Sequence, residues 1–488
     1  MKVQVQSAIM SYGKSVSAIK TIKSETDNFY FVVLPYLEEV NRYKNECNSF
    51  LPDWNQLIEP SNVKESKNSN LLKNLKERSG SVVTTHAMFD NLSDEHIRSI
   101  KKRPMFRGEK MLVLDETIDL VKPVNSSKIP IKALKADVEN GYIVVNETTG
   151  LVIWNNALEL EGKEGSYQHH EYLKNLCDTG MLYFLDGRYM IIELSMDFLE
   201  CFDRILVLTY RWTSSIMANF LKVNGIKWEV LKLNQERVLE VYKYISEHLI
   251  IPDDYSIDEY KLSQRGWNDN AEKIKSLFNG YVKQAMRDYD IPLEEVLYTT
   301  FKFADGEDMQ KYLKTLSIGK YQKKDKTGNV VPVNFLSHTT LGTNDYKHCR
   351  LMVYGISKHI MPGVQSYFAQ KGSSMPGDDW ELSSIIQWLF RGCIRDHGSG
   401  KDMIAVILCP RMRKMVQSWL AGIKRQVEQG SLDESSKDVI DIDPKTRRKK
   451  MQNYKQWIQK NPGGECFSFH DYLEYGGPKL KRRLKKIA

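Results

Sequence analysis

The chain has 488 residues, enough for two or three domains, and its 41% hydrophobic and 27% charged residues are typical of a globular protein. No apolar run is long enough to span a membrane and the chain starts with a strand pattern rather than a signal peptide, so we expect no membrane partner and a place in the cytoplasm of the host cell. The net charge of +8 comes from the tail: residues 445–488 hold thirteen Lys/Arg against three Asp/Glu, which leaves about −2 for residues 1–444.

The first predicted strand, residues 2–6, leads directly into a loop typical of phosphate binding. The loop reads Ala8-Ile9-Met10-Ser11-Tyr12-Gly13-Lys14-Ser15, or A-x4-G-K-S. A phosphate-binding loop needs backbone N–H groups turned toward the anion, a Lys that reaches the β- and γ-phosphates and a hydroxyl for Mg²⁺, all at a helix N-terminus. Gly13, Lys14 and Ser15 supply these groups, whereas Ala8 stands where the full pattern has glycine.

Strand and helix patterns alternate over the next hundred residues, as in a parallel α/β sheet. Residues 28–34 form an aromatic and β-branched strand pattern that leads through Pro35 and Tyr36 into a helix, and the strand pattern of residues 81–89 ends in Thr84, Thr85 and His86. Polar groups at the carboxyl ends of parallel strands face the ligand crevice. Taken alone, His86 is more often a hydrogen-bonded structural histidine than a ligand-binding one.

A third strand pattern ends abruptly in two carboxylates. The apolar residues 111–114 are followed by Asp115 and Glu116, which packing alone explains poorly. In proteins with a phosphate-binding loop, a strand of this kind delivers an Asp to the Mg²⁺ shell. The next carboxylate is then placed to take a proton from the attacking water. Because the acidic pair follows Lys14 in the required order, the two motifs support each other.

A second α/β pattern occupies residues 291–427. Near its end, Gln387, Arg391 and Arg395 are spaced i, i+4 and i+8, so we predict that they share one face of a helix. The flanking apolar run predicts that this helix is buried, and buried arginines need an anionic partner.

In the order of these motifs the chain resembles superfamily 2 helicases and translocases, and most closely the phage-encoded DNA helicases among them. Residues 13–15 resemble motif I, Asp115-Glu116 resembles motif II and the segment around Arg391 resembles motif VI. The resemblance covers roughly residues 1–425. It implies an α/β fold with two RecA-like parallel-sheet domains in tandem, with ATP and Mg²⁺ bound between them.

The resemblance also implies roles for individual residues. Nucleotide binding is implied for Ala8, Gly13, Lys14, Ser15, Asp115, Gln387 and Asp345, Mg²⁺ binding for Ser15 and Asp115, and catalysis for Glu116, Arg391 and Arg395. Nucleic acid contacts are implied for Pro35 and Tyr36, for Thr84, Thr85 and His86, for Thr300 and Lys302, and for Thr343 and Asn344. Arg395 lies one residue later than the family's second arginine.

We predict four parts in the chain. They are a first domain at 1–230 with an insertion at 118–202, a helical linker or accessory segment at 231–290, a second domain at 291–427, and an acidic linker with a basic tail at 428–488. The insertion contains a β-hairpin pattern at residues 141–154 and the pair His169-His170, which has no Cys or acidic partner at ligand spacing, so we predict no metal there. The seven scattered cysteines lack a C-x2-C pair and are expected to be reduced thiols.

The interpretation of the tail depends on composition alone. Two basic clusters contain Arg447, Arg448, Lys449 and Lys450, and Lys481, Arg482 and Arg483, with aromatic residues between them. Such clusters suit neutralisation of a nucleic acid backbone and stacking on bases. A solvated end without a partner is the alternative.

The sequence therefore predicts an ATP-dependent DNA helicase or translocase of phage replication, recombination or repair, with DNA and other replication or recombination proteins as partners. Two alternatives stay open. One is an RNA-directed helicase, because no residue is recognisable as a reader of the 2′-OH. The other is a non-catalytic nucleic-acid-binding scaffold with a degenerate nucleotide site, for which Ala8 and Tyr12 leave room.

Overall fold

The computed structural model describes most of the chain. It covers residues 1–63, 65–77, 80–89, 91–104, 108–124, 129–156, 169–178, 182–194, 196–301, 322–324, 330–332, 335–340 and 345–432, together with 456, 457 and 460. Among these residues, no helix combines the length and apolarity needed to cross a membrane. The six described cysteines are buried and free of disulfides.

Strands and helices alternate through the described residues. The strands are β1 (Lys2–Ser7), β2 (Phe29–Leu34), β3 (Leu57–Ile58), β4 (Ser81–Thr85), β5 (Lys110–Asp115), β6 (Val121–Pro123), β7 (Ile143–Val145), β8 (Val152–Trp154), β9 (Leu182–Leu185), β10 (Tyr189–Glu193), β11 (Arg204–Thr209), β12 (Trp228–Val230), β13 (Leu249–Ile250), β14 (Val296–Thr299), β15 (Gln322–Lys324), β16 (Val330–Pro332), β17 (Leu351–Tyr354) and β18 (Met403–Ile407). The helices are α1 (Lys14–Ser24), α2 (Leu37–Cys47), α3 (Lys67–Glu77), α4 (His86–Phe89), α5 (Asp94–Lys102), α6 (Ile131–Glu139), α7 (His170–Asp178), α8 (Met196–Leu199), α9 (Ile216–Val223), α10 (Gln235–His248), α11 (Gln264–Asp269), α12 (Ala271–Asp288), α13 (Pro362–Gln370), α14 (Gly377–Leu389) and α15 (Pro410–Gln429).

The first sheet has seven strands in the order β12-β1-β11-β5-β2-β4-β3, and all of its pairings are parallel. Every residue of β2 is buried, as expected where helices cover both faces of a parallel sheet. One strand, β11, separates β1 from β5. In its register Ser7 pairs with Thr209 and Leu208 pairs with Asp115. The carboxyl ends of these three strands therefore lie side by side.

The second sheet has four parallel strands in the order β13-β18-β17-β14. The predicted class, α/β with two parallel sheets in tandem, is confirmed.

The segment 231–290, predicted as a linker, lies within the second core instead. Its strand β13 pairs with β18, with Leu249 opposite Met403. Helix α10 buries Val238, Val241 and Ile245 on one face, and α12 buries Phe278 in the same core as β17. The packing was not evident from the sequence, because each helix is apolar on one face only and the segment as a whole is polar.

The predicted insertion forms a small module beside the first sheet. It contains the antiparallel sheet β6-β10-β9 and the hairpin β7-β8, in which Ile143 pairs with Trp154 as the sequence pattern indicated. A core of its own includes Leu134, Trp154 and Leu173. Helix α13, which follows β17 in the chain, packs against β10, so the module also contacts the second half of the chain.

Candidate nucleotide-binding and catalytic site

The loop after β1 curls around the N-terminus of α1. The N–H of Ala8 donates to the Thr209 carbonyl at 2.9 Å, and Ser11 and Gly13 then turn the chain with φ values of 65° and 98°. A Cβ at Gly13 would lie 2.9 Å from Nη2 of Arg237, at the end of a flexible side chain, so the positive φ is the stronger reason for glycine at this position. The loop therefore has the backbone freedom that a phosphate-binding turn requires.

Lys14 is the buried cation of this loop. Only 7% of the residue is exposed, and its Nζ donates to the Ala8 carbonyl at 2.7 Å. Burial lowers the pKa of Lys14, while the nearby carboxylates Glu116 and Asp115 act in the opposite direction. A buried cation at a helix N-terminus suits a polyphosphate anion.

Ser15 and Asp115, predicted as a magnesium pair, are in direct contact. The Ser15 hydroxyl donates to Oδ2 of Asp115 at 2.8 Å. Burial, and to a smaller extent the neighbouring Glu116, raises the pKa of Asp115 to about 6. The hydrogen bond from Ser15 acts in the opposite direction. A hydroxyl and a carboxylate are oxygen ligands of the kind that Mg²⁺ prefers, so the two residues can hold a divalent cation.

The raised pKa of Asp115 predicts a pH-dependent gain in stability on substitution. The carboxyl stabilises the fold only while protonated, so its contribution is present below about pH 4 and is lost as the pH rises through about 6. We expect Asp115→Asn to raise the free energy of unfolding by roughly 2 kcal/mol at pH 7.5 and by much less at pH 4.5. Thermal unfolding without Mg²⁺ or nucleotide at both pH values measures this.

The exposed Asp27 offers a matched control, since Asp27→Asn should leave the melting temperature unchanged at both pH values. Equal stabilisation by Asp115→Asn at pH 4.5 and 7.5, or a loss of stability at pH 7.5, would contradict the assignment of a destabilising buried charge to Asp115.

Glu116 is held by groups from both halves of the chain. Its φ of 71° is unusual for a residue with a side chain, and its N–H donates to the Leu208 carbonyl at 2.8 Å. Oε2 accepts from the Thr209 hydroxyl at 3.1 Å and from Nε2 of Gln387, on α14, at 3.4 Å. This strained backbone turns the carboxylate toward the cleft between the two sheets.

The prediction that Gln387, Arg391 and Arg395 share one helix face is wrong. Helix α14 ends at Leu389, and Arg395 ends a 3₁₀ turn that begins at Cys393. Gly392 explains the break, because a Cβ there would lie 2.8 Å from the Met352 sulfur and 2.9 Å from the Met403 sulfur. The chain is packed too closely against the ends of β17 and β18 for the helix to continue.

Arg391 nevertheless lies beside the acidic pair. It is 5% exposed, and burial lowers its pKa to about 10, while Tyr36, Glu116 and Asp115 raise it. Burial also lowers the pKa of Arg395, again with Asp115 and Glu116 among the groups acting in the opposite direction. The loop and the second half are joined here, since the Ser11 hydroxyl donates to the Arg395 carbonyl at 3.2 Å.

Two buried polar atoms in this cleft are unsatisfied. Nε of Arg391 and the hydroxyl of Tyr36 have no hydrogen-bond partner among the described residues. Burial raises the pKa of Tyr36 to about 12, and Arg391 and Arg395 are the charges that oppose this rise. Buried groups of this kind are rarely left without a partner, and unsatisfied N–H and O–H donors beside Lys14 fit an anionic ligand.

Of the residues predicted to contact nucleic acid, Tyr36 and His86 lie at this cleft, and Thr84 and Thr85 belong to the nearby strand β4. Tyr36 is placed beside the arginines because it precedes α2 in an extended conformation directly after Pro35 and β2. His86 forms a hydrogen bond through Nε2 to the Asp115 carbonyl at 3.0 Å. Thr84 is buried in β4, and Thr85 accepts from the Met88 N–H at 3.4 Å. The His86 hydrogen bond supports the end of β5, and the nucleic acid contacts of all these residues stay predictions.

The remaining predicted residues divide into two groups. Thr300 is buried after β14, and Asp345 lies in the exposed turn that precedes β17. Outside the described residues are Lys302, Thr343, Asn344, Arg447, Arg448, Lys449, Lys450, Lys481, Arg482 and Arg483. Their nucleic acid contacts stay predictions.

Sequence reasoning missed Arg237. This arginine projects from α10 over Gly13, and its guanidinium also lies 5.8 Å from the centre of the Tyr12 ring. The Tyr12 hydroxyl accepts from the Asn234 N–H at 2.8 Å, at the start of the same helix. No sequence signal pointed to Arg237, because it lies in the segment interpreted as a linker. The contact adds a fourth cation to Lys14, Arg391 and Arg395 around the loop.

The fold and the candidate site define an α/β protein with two parallel sheets and a Gly-Lys-Ser loop in the cleft between them. Residues 236–420 match the sequence family described as the YonV C-terminal Rossmann-like domain. The chain is also 28% identical over 444 residues to the "SPbeta prophage-derived uncharacterized protein YonV" of Bacillus subtilis (strain 168), which covers 86% of this chain and 98% of that protein. The family match begins inside the segment 231–290.

Solved structures that resemble this chain include helicases and DEAD-box proteins. They include the DUF1998 helicase MrfA bound to DNA and AMPPNP (10% identity, TM-score 0.32, 88% of this chain and 48% of that one), S. cerevisiae Dbp5 bound to RNA and ADP BeF3 (10%, 0.32, 86% and 83%), and a DEAD box protein from Methanococcus jannaschii (11%, 0.27, 88% and 86%). The chain spans about half the length of the MrfA chain. With TM-scores below 0.5, these likenesses do not bear on activity.

Proposed function

We propose that this protein is an ATP-dependent helicase or translocase that acts on DNA in the cytoplasm of a phage-infected host cell. The observation that carries the proposal is that both halves of the chain donate hydrogen bonds to Glu116. Its carboxylate accepts hydrogen bonds from Thr209 of the first sheet and from Gln387 of the helix that precedes Arg391. A general base shared by two sheets in this way couples its own position to the distance between them.

The residues of the cleft divide the work of ATP hydrolysis among them. Lys14 and the N–H groups at the start of α1 bind the phosphates. Ser15 and Asp115 would hold Mg²⁺, which supplies neutralisation of phosphate charge when bound. Glu116 accepts the proton of the attacking water. Arg391 reaches the cleft from the second half of the chain and stabilises the charge that develops on the transferred phosphate.

A polar groove next to the hydrogen-bond partners of Glu116 is the proposed path of the nucleic acid. Its walls include Thr209 and Gln387, the two partners of Glu116. Hydroxyl groups are frequent along it, from Thr117, Ser214, Ser263, Thr339 and Ser384. Hydroxyl groups are common phosphate contacts in nucleic acid complexes, so a strand in this groove would act directly on the groups that hold the general base.

Lys358 is one of the cationic side chains that line this groove, and another, Arg211, pairs with Asp379. Its Nζ donates to the Ser384 hydroxyl at 3.0 Å and lies 4.6 Å from the centre of the Trp380 ring. Burial lowers the pKa of Lys358 to about 8, and the nearby Asp119 and Glu381 act against this. A backbone phosphate would favour the charged form, so strand binding and protonation of Lys358 support each other.

We expect Lys358→Met to raise the concentration of single-stranded DNA that gives half-maximal ATPase stimulation by about tenfold, because one phosphate contact is lost from a salt-sensitive interface. For the wild type, this concentration should also rise between pH 7 and pH 9 as Lys358 loses its proton. ATPase titrations with DNA at several pH values measure both effects.

The control is Lys424→Met, which removes an exposed lysine of α15 outside the groove. If the two variants respond equally to DNA, or if the wild type shows no change across this pH range, the groove is not the path of the strand.

A further inference from the structure

One polar cluster lies outside the cleft, in the module formed by residues 118–202, which has its own core. Asp137 of α6 is 2% exposed, yet it carries a carboxylate. Nε2 of His169 lies 2.7 Å from Oδ2 of Asp137, and Nε2 of His170 lies 2.8 Å from Oδ1. The sequence has no acidic residue at ligand spacing from this histidine pair, but folding brings Asp137 to it from 32 residues away.

The cluster is enclosed by aromatic side chains. The ring of His170 lies 4.9 Å from that of Tyr142 and 5.5 Å from that of Trp154, and these two aromatic rings stack on each other at the open end of the hairpin β7-β8. His170 itself is 6% exposed. The carboxylate and both imidazoles thus meet where α6, α7 and the hairpin come together.

We propose that Asp137, His169 and His170 bind a divalent transition metal ion, with zinc as the preferred ion. The one carboxylate oxygen and two imidazole nitrogens that would serve as ligands all lie within 4.8 Å of one another. Two imidazoles and a carboxylate are a common zinc donor set, whereas Mg²⁺ and Ca²⁺ favour oxygen ligands alone.

The charge of the cluster favours a cation. A buried carboxylate is costly without a compensating positive charge. Hydrogen bonds to the two imidazole rings satisfy the carboxylate oxygens, whereas a bound metal ion would also balance the negative charge. A divalent ion between the three groups supplies that charge and takes one lone pair from each imidazole, and the remaining tetrahedral position suits a water molecule.

The site would act as a staple for the module. Its separate core is small, and three of its elements meet at the cluster. Small cores of this kind often depend on a bound metal for stability. The inference is independent of the proposed helicase activity, because none of these residues contacts the nucleotide cleft in the described structure.

Metal analysis of the full-length wild-type protein, purified without chelator, tests the site. We expect about one zinc ion per chain, lost on treatment with EDTA. Added ZnSO₄ should then raise the melting temperature by several degrees, whereas MgCl₂ should not. Co²⁺ added to the stripped protein should give the visible absorption of a nitrogen- and oxygen-ligated ion.

Three variants locate the ion. Asp137→Asn, His169→Gln and His170→Gln should each abolish the zinc-dependent rise. His248→Gln is the matched control, since His248 also meets a carboxylate, that of Asp402 at 2.9 Å, but as an exposed pair. It should retain zinc and the rise in melting temperature.

The wild-type measurements decide the matter even if the variants fail to fold. Wild-type protein that holds no zinc, and shows neither a zinc-specific rise in melting temperature nor a Co²⁺ spectrum, would overturn the proposal. Zinc retained equally by His170→Gln would overturn it as well.

Discussion

Lys14→Ala is expected to lower steady-state ATP turnover by at least about 100-fold, because it removes the buried cation that faces the phosphates. The fold should survive. Lys14 is 7% exposed and burial already lowers its pKa, so the loss of this ammonium removes a desolvation cost along with its hydrogen bond to the Ala8 carbonyl. Turnover is measured by phosphate release, and the fold by circular dichroism and thermal unfolding.

Lys20→Ala provides the control on the same helix, since Lys20 is exposed on α1. It should turn over ATP at the wild-type rate. Salt-sensitive DNA binding should persist in both variants, because the proposed strand path does not include Lys14. Unchanged turnover in Lys14→Ala would show that the loop after β1 is not the nucleotide site.

Arg391→Gln is expected to reduce kcat by about 10³-fold while nucleotide affinity changes little, as for the loss of an arginine that acts on the transition state. Arg391 is 5% exposed, and its Nε has no hydrogen-bond partner among the described residues. Both features suit an arginine that binds an anionic ligand. Its pKa is lowered to about 10, so its removal should not destabilise the fold. Nucleotide binding and single-turnover hydrolysis separate the two effects.

Arg425→Gln removes an exposed arginine of α15 and should leave kcat unchanged. A large loss of nucleotide affinity in Arg391→Gln with little change in kcat would assign this arginine to ground-state binding. An unchanged kcat and affinity would remove it from the site.

Local sequence patterns predicted the parallel first sheet, and the resemblance to helicases implied that Ser15 and Asp115 belong to one magnesium site. Both depend on information within short segments, namely a buried strand that ends in polar residues and a loop that starts a helix. Once the strands are parallel and β11 lies between β1 and β5, the carboxyl ends must meet. The placement of Tyr36 beside the arginines and of His86 beside the Asp115 carbonyl could not be predicted, because a residue at a strand end can face either the cleft or a neighbouring strand.

Other features depend on packing between distant segments, which a single sequence does not display. Helix periodicity around Arg391 continued past Leu389, but the close approach of Gly392 to Met352 and Met403 ends the helix. Asp137 meets the histidine pair only after α6 and α7 pack together. Arg237 reaches Gly13 because α10 belongs to the second core rather than to a linker.

Steady-state ATP hydrolysis by the wild-type protein, with single-stranded DNA, duplex DNA, RNA or no nucleic acid, tests the central claim most directly. We predict Mg²⁺-dependent hydrolysis that DNA stimulates about tenfold or more, as is typical of coupled sites. Glu116→Gln should abolish this hydrolysis. Preferential stimulation by RNA would identify the protein as an RNA-directed helicase instead. Hydrolysis that is absent, or that does not change with any nucleic acid, would contradict an ATP-driven enzyme and favour a scaffold that binds nucleic acid without catalysis.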